Sequence, residues 1–136
     1  MSKKLDLRLM ETDNFTVGQD WEVPICGFLI LAAKNNNVKS ITEFNTEMQH
    51  EFMSLIVKVR KLMDEILQIE EVYFFQNEDT EHGFHVWIFP RHTWMDRFGR
   101  KIESVRPIMN FAKENLWTED NIKNIEDAIN KLKLAL

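Results

Sequence analysis

The chain is poor in the residues that constrain a small protein covalently or conformationally: its 136 residues include one cysteine, three prolines and four glycines. A single thiol, Cys26, excludes an internal disulfide, so the fold rests on burial, and Cys26 itself reads as a small buried side chain. A reducing, cytoplasmic setting is the expectation. Long apolar runs are also missing. The longest, Ile25 to Ala33, is far short of the roughly 20 residues that cross a bilayer and fits a buried strand. The stretch from Met1 to Met10 is charged and lacks the apolar core and small-residue cleavage site of a signal peptide. Positive charge is in deficit, with 17 Lys and Arg against 22 Asp and Glu for a formal net charge of −5. That balance argues against general attraction to a nucleic acid polymer or an anionic membrane. Arg91, Arg97, Arg100, Lys101 and Arg106 form a local exception, and such a cluster is usually a solvated surface.

What is present fits one domain over residues 1–136 with a real core, since 44% of the residues are hydrophobic and 29% charged. Repeats and low-complexity linkers are absent. Asn14 to Trp21 and Gly27 to Ala33 read as strands, with Pro24 and Gly27 punctuating the turn between them. Lys34 to Lys39 is a polar loop. A helix then runs from about Thr46 to Leu67, with Thr46 as its N-cap and Gln49 completing a capping box. Its apolar face carries Phe52, Leu55, Ile56, Val59, Leu62, Met63, Ile66 and Leu67 at three- and four-residue steps. Val72 to Phe75 and Phe84 to Phe89 are further strands, and the short polar link between them predicts an antiparallel pair. After Pro90 the pattern is helical. Ser104 to Asn115 is one helix with Pro107 in its first turn, and Thr118 caps another from Glu119 to about Leu134. Strands, helix, strands, helices is an α+β order with an antiparallel sheet.

The residues with chemical potential gather between Gln76 and His92. Three of the four histidines lie there: His82, His85 and His92. Alternation along the strand puts His85, Trp87 and Phe89 on one face and Phe84, Val86 and Ile88 on the other. A hydrogen-bonded sheet histidine is the bland reading of His85. The three imidazoles could also serve a metal, but their spacing matches no recognised site and no metal or cofactor is expected. The remaining option is nucleophilic or acid–base work by an imidazole that titrates near neutrality.

The strand ending in Pro90-Arg91, preceded by the long helix and by Phe74-Phe75-Gln76-Asn77, resembles the histidine triad (HIT) superfamily, in particular its bacterial diadenosine tetraphosphate hydrolase-like members. The resemblance covers about residues 14–92, with a helical C-terminal extension from about 96 to 136. It implies a HIT-like antiparallel sheet of about five strands, one long packed helix and a homodimer. Anchored on Pro90-Arg91, the family's His-x-His-x-His positions fall on Gly83, His85 and Trp87. His85 takes the middle place, whose histidine attacks the α-phosphorus of a nucleotide. By the same resemblance Asp20 would hold ribose hydroxyls, Asn77 would position phosphate or ribose, and Phe28 stands where a further histidine is usual. The implied activity is nucleotide hydrolysis or nucleotidyl transfer on a dinucleoside polyphosphate or nucleoside phosphoramidate; the alternative is a degenerate nucleotide-binding or protein-interaction module. His82 is the candidate proton donor. Arg91, suited to bidentate phosphate contact, and His92 are candidates for charge neutralisation, and Trp87 for an N–H bond to an oxyanion or for stacking on a base. Trp94 reads either as core or as a stacking surface. Met95 to Arg100 reads as an exposed turn. The loop from Glu78 to His82 departs from the family pattern, because its three carboxylates repel phosphate.

Overall fold

A computed structural model describes residues 5–136. Five strands form one antiparallel sheet: β1 (Arg8–Glu11), β2 (Phe15–Gln19), β3 (Leu29–Ala33), β4 (Val72–Phe75) and β5 (His85–Pro90), in the order β1-β2-β3-β5-β4. The helices are α1 (Thr46–Leu67), α2 (Ile102–Asn115) and α3 (Glu119–Leu134). The expected α+β architecture, a five-stranded antiparallel sheet with one long helix and two C-terminal helices, is what the chain adopts.

The period-two pattern of the strands decides which helix covers which face. Phe15, Val17, Leu29, Leu31, Val86 and Ile88 point to one side, where they meet Phe52, Leu55, Val59 and Met63 of α1 and Ile129 and Leu132 of α3. Edge-on and tilted contacts among Phe15, Phe44, Phe52 and Phe84, with ring centroids 4.9–5.8 Å apart, fill this layer. Such pairs each contribute on the order of 1 kcal/mol beyond the area they bury. The opposite face carries Phe28, Tyr73, Phe75, Trp87 and Phe89, which pack with Val105, Ile108, Met109 and Ala112 of α2. The face of His85 and Trp87 is thus roofed by α2 over part of its area only.

Several local expectations are corrected. Asn45, not Thr46, caps α1, accepting from the Met48 N–H at 2.9 Å. Gln49 instead donates to the Phe44 carbonyl. A capping box does occur one segment earlier, between Ser40 and Glu43, on a 3₁₀ turn over Ile41–Glu43. Strand β1 was not predicted: four residues with two charges carry no alternation to detect. Helix α2 starts before Ser104, which leaves Pro107 in its second turn. Met95 to Arg100 is largely exposed as expected, but its first part belongs to a 3₁₀ helix over Thr93–Phe98 and Met95 itself is fully buried.

Candidate active site

Strand register builds the site. His85 stands beside Ala32 of β3, and Trp87 lies between Ile30 of β3 and Phe75 of β4. The small side chain at Ala32 leaves room over the imidazole, and a cleft of about 450 Å³ opens there. Its lining brings together Asp20, Asn77, His82, His85 and Trp87, with Trp21, Asn36, Asp79 and Thr80 added. The His85 Nδ1 lies 2.9 Å from the Gly83 carbonyl oxygen. A carbonyl only accepts, so Nδ1 carries a proton and, in the neutral ring, Nε2 has the lone pair. No hydrogen-bond partner occupies that Nε2 among the described residues. His82 sits edge-on to His85, with ring centroids 6.2 Å apart, and edge-on to Trp21 at 6.3 Å.

Backbone contacts hold the loop before β5 against the loop after β3. Phe84 N–H donates to the Val38 carbonyl, and Lys39 Nζ donates to the carbonyls of Glu81 and His82 at 3.2 and 2.8 Å. Gly83 is where the two loops meet most closely: a Cβ there would lie 2.9 Å from Asn36 Cα and 3.2 Å from its carbonyl oxygen. Glycine at position 83 is therefore a packing requirement, and a larger side chain could not replace it without moving the Asn36 backbone. Of the loop's three carboxylates only Asp79 reaches the cleft wall, and Glu81 projects into solvent.

Asp20 closes the end of β2 in the turn that leads to Phe28. It is only 5% exposed, yet its carboxylate accepts from the N–H groups of Glu22 and Val23 at 3.1 and 2.7 Å. Burial pushes its carboxyl pKa up to about 6, and these two backbone bonds offset part of the rise. Around it, Gly27 adopts φ of +78° and a Cβ there would meet Ile69 at 2.8 Å, so this turn also needs glycine. Phe28, fully buried, stands edge-on to Trp87 and Phe89 at 5.8 and 5.2 Å. It forms the floor under Trp87 and does not fill the cleft.

Arg91 and His92 are not brought to the cleft. Past Pro90 the chain leaves the sheet, and the Arg91 side chain is buried with its guanidinium donating to Ser104 Oγ, Asp96 and the Gly99 carbonyl. Those bonds anchor the start of α2. His92 Nε2 donates to the Cys26 carbonyl at 2.6 Å, and burial lowers its pKa, so it is a neutral brace of the Asp20–Phe28 turn. Asn121 of α3 braces the same turn through the Pro24 carbonyl. Cys26 is half-buried, and burial raises its thiol pKa. Trp94 packs on Phe98 and Phe111, away from the site. The basic cluster disperses likewise: Arg97 lies over the Phe98 and Phe111 rings, and Arg100 pairs with Glu71 and Asp96.

Sequence reasoning missed a second cleft of about 330 Å³, between α2 and the β4–β5 pair. It shares His85, Trp87 and Asn77 with the first and adds Phe75, Gln76, Ile102, Val105, Arg106 and Met109. Nothing in the local pattern near Pro107 signals that α2 lies across this strand pair. Among the described residues no group of three or more His, Cys, Asp or Glu side chains is placed to hold a metal ion.

No protein-family model and no curated protein sequence matches the chain. Solved structures do. A histidine triad protein from Marinobacter aquaeolei superposes with a TM-score of 0.65 at 13% identity, covering 95% of this chain and 89% of that one. A Hit-like protein involved in cell-cycle regulation from Bartonella henselae gives 0.63 at 16% identity, over 97% and 88%. A hypothetical histidine triad nucleotide-binding protein from Sulfolobus tokodaii gives 0.59 at 17%, over 95% and 87%.

Proposed function

The fold of this chain is that of the histidine triad proteins, and we propose that it acts on a nucleotide at the α-phosphate, with His85 as nucleophile. The observation that carries this reading is the tautomer: Gly83 holds Nδ1–H, and the Nε2 lone pair of His85 is left without a partner at a cleft. In this role Nε2 attacks phosphorus and the leaving group departs. Water or another acceptor then resolves the nucleotidyl-histidine. The Gly83 carbonyl stabilises the positive charge that the ring acquires on attack. Asp20 holds the ribose hydroxyls, Asn77 positions phosphate, Trp87 offers an indole N–H or a stacking face, and His82 supplies a proton to a leaving group that needs one. The likeness to the Sulfolobus histidine triad nucleotide-binding protein supports a nucleotide ligand. Strand β4 lies at the sheet edge with Phe74 half-exposed, and α1 presents Met53 and Val57 to solvent, which suits a homodimer. No described helix is long and apolar enough to cross a membrane.

A second reading, nucleotide binding without turnover, draws on Gly83, Trp87 and Phe28 at positions where the family carries histidines. Incubation with an adenosine phosphoramidate and with diadenosine tetraphosphate decides between them. Turnover by wild type that is lost in His85→Ala supports the first. Equal product from both proteins sinks the nucleophile assignment, and a nucleotide-induced rise in melting temperature without turnover supports the second.

A further inference from the structure

The loop that leads into β5 is anchored from outside by one short segment, Val38 and Lys39. Among the described residues, the only hydrogen bonds tying residues 78–82 to another part of the chain come from Lys39 Nζ. It donates to the Glu81 and His82 carbonyls at 3.2 and 2.8 Å. The next peptide is held by the neighbouring residue, since Phe84 N–H donates to the Val38 carbonyl at 2.7 Å. Gly83 is thus bracketed on both sides, and the Asn36 backbone closes on it so tightly that a Cβ would come within 2.9 Å of Asn36 Cα. The bracket is itself fixed. The backbone N–H groups of Lys39 and Ser40 donate to Glu43 Oε2 at 2.7 and 2.8 Å, in the capping box of the 3₁₀ turn Ile41–Glu43. Lys39 is half-buried and forms no ion pair among the described residues, so two of its three ammonium donors are committed to this one loop.

Both cleft histidines depend on the peptides so held. The Glu81 and His82 carbonyls belong to the two peptides that flank the His82 Cα, and the His82 ring stands between Trp21 and His85 with centroids 6.3 and 6.2 Å away. The peptide that follows carries the Gly83 carbonyl, 2.9 Å from His85 Nδ1. Which nitrogen of a neutral imidazole carries the proton is set by the bond the other makes or lacks. A ring whose Nδ1–H loses its acceptor is free to carry the proton on Nε2, and then offers the cleft no lone pair.

We propose that Lys39 is a positioning residue for the two cleft histidines: its ammonium fixes the Gly83 carbonyl that selects the His85 tautomer, and the two peptides that carry His82. The effect on turnover rests on His85 acting through Nε2 as proposed above, whereas the effect on the imidazoles does not. Lys39 lines neither cleft, so its loss acts on the chemical step and not on contact with substrate. Arginine in its place keeps a positive charge and several N–H donors for the same carbonyls, whereas methionine keeps the length of the side chain and none of its donors. His92 supplies an internal reference. Its Nε2 lies 2.6 Å from the Cys26 carbonyl, a contact in which neither Lys39 nor the loop takes part. A lysine that served only the stability of the fold would, when removed, leave both rings as they are or disturb both together.

Nitrogen–proton NMR correlations of the histidine rings, recorded at about pH 8.5 where free imidazoles are neutral, read each tautomer directly. Wild type, Lys39→Met and Lys39→Arg are compared, with the signals assigned by single histidine substitutions. Wild type should show His85 protonated at Nδ1 and His92 at Nε2. In Lys39→Met the His92 signals should stay in place while those of His85 move toward an average of the two tautomers, and Lys39→Arg should restore the wild-type pattern. Identical His85 signals in wild type and Lys39→Met, a wild-type His85 protonated at Nε2, or an arginine variant no nearer wild type than the methionine variant overturns the proposal. Should Lys39→Met fail to fold, Lys39→Gln, too short to reach both carbonyls, decides on the same two rings. Turnover is then measured with diadenosine tetraphosphate or adenosine phosphoramidate. Lys39→Met is expected to lower kcat by about ten-fold, the scale of one hydrogen bond to a charged group, and to change KM by less than about two-fold. A loss confined to KM refutes the positioning role. A His85 tautomer that moves while kcat holds at the wild-type value upholds the positioning of the ring and counts against His85 as nucleophile.

Discussion

Replacing Asp20 by asparagine should stabilise the protein at neutral pH while weakening the proposed nucleoside contact. The buried carboxyl has a pKa raised from 3.8 to about 6 because burial outweighs the two backbone bonds it accepts. Below pH 3.8 it is neutral whether the chain is folded or unfolded. Between 3.8 and about 6 the unfolded chain has released its proton and the folded chain has not, so stability falls as pH rises and the loss is complete above 6. The magnitude follows from the gap between the two values, at about 1.4 kcal/mol per pKa unit, and is on the order of 3 kcal/mol. Asparagine retains an oxygen for the Glu22 and Val23 N–H groups and never ionises. Urea unfolding followed by circular dichroism from pH 3.5 to 8 checks this as a difference between Asp20→Asn and wild type, so that groups titrating alike in both proteins cancel. The variant should match wild type near pH 3.5, gain on it through pH 4 to 6, and hold a constant advantage above. A difference that does not vary with pH, or a variant less stable at pH 7.5, would refute the account of Asp20 as a poorly compensated buried charge.

Two further outcomes follow from the same geometry. Gly83→Ala should cost about 1–3 kcal/mol in denaturant unfolding, because its Cβ must displace the Asn36 backbone, which cannot yield as a side-chain tip can. An unchanged midpoint would show that the two loops separate freely. Lys101→Gly should raise stability by about 1 kcal/mol or more, since Lys101 adopts φ of 69° and ψ of −173°, a region open almost only to glycine; a lower midpoint would contradict that.

Much of the fold was legible because burial imposes a period. The apolar stripe from Phe52 to Leu67 and the alternation from His85 to Phe89 each name their own covered face, and Thr118 marks its helix by chemistry alone, accepting from the Asn121 N–H. β1 escaped because it carries no pattern, and it is held by pairing with β2, whose Gly18 admits the chain before β1 closely: a Cβ there would meet the Leu7 carbonyl at 2.8 Å. The site was legible only in part, for a related reason. His82, His85, Asp20, Asn77 and Trp87 converge on one cleft; the alternation of β5 alone put His85 and Trp87 on one face, and the family resemblance named Asp20 and Asn77. Arg91 and His92 follow His85 closely in sequence, but the turn past Pro90 carries them to the base of α2 and to the Cys26 turn. Arg106 is far along the chain and reaches the site only because α2 folds back over β4 and β5. Proximity in sequence misled in the first case and gave no hint in the second.

The most direct test of the proposed chemistry is to trap the nucleotidyl-enzyme. Wild type and His85→Ala are mixed with diadenosine tetraphosphate, quenched within one turnover at alkaline pH, where a phosphorus–nitrogen bond survives, and weighed intact. Wild type should gain the mass of one nucleotidyl group, lose it again on brief acid treatment, and yield a peptide modified at His85. The alanine variant should gain nothing. A modified residue other than His85, or product formed at the wild-type rate by His85→Ala, would contradict the assignment of His85 as nucleophile.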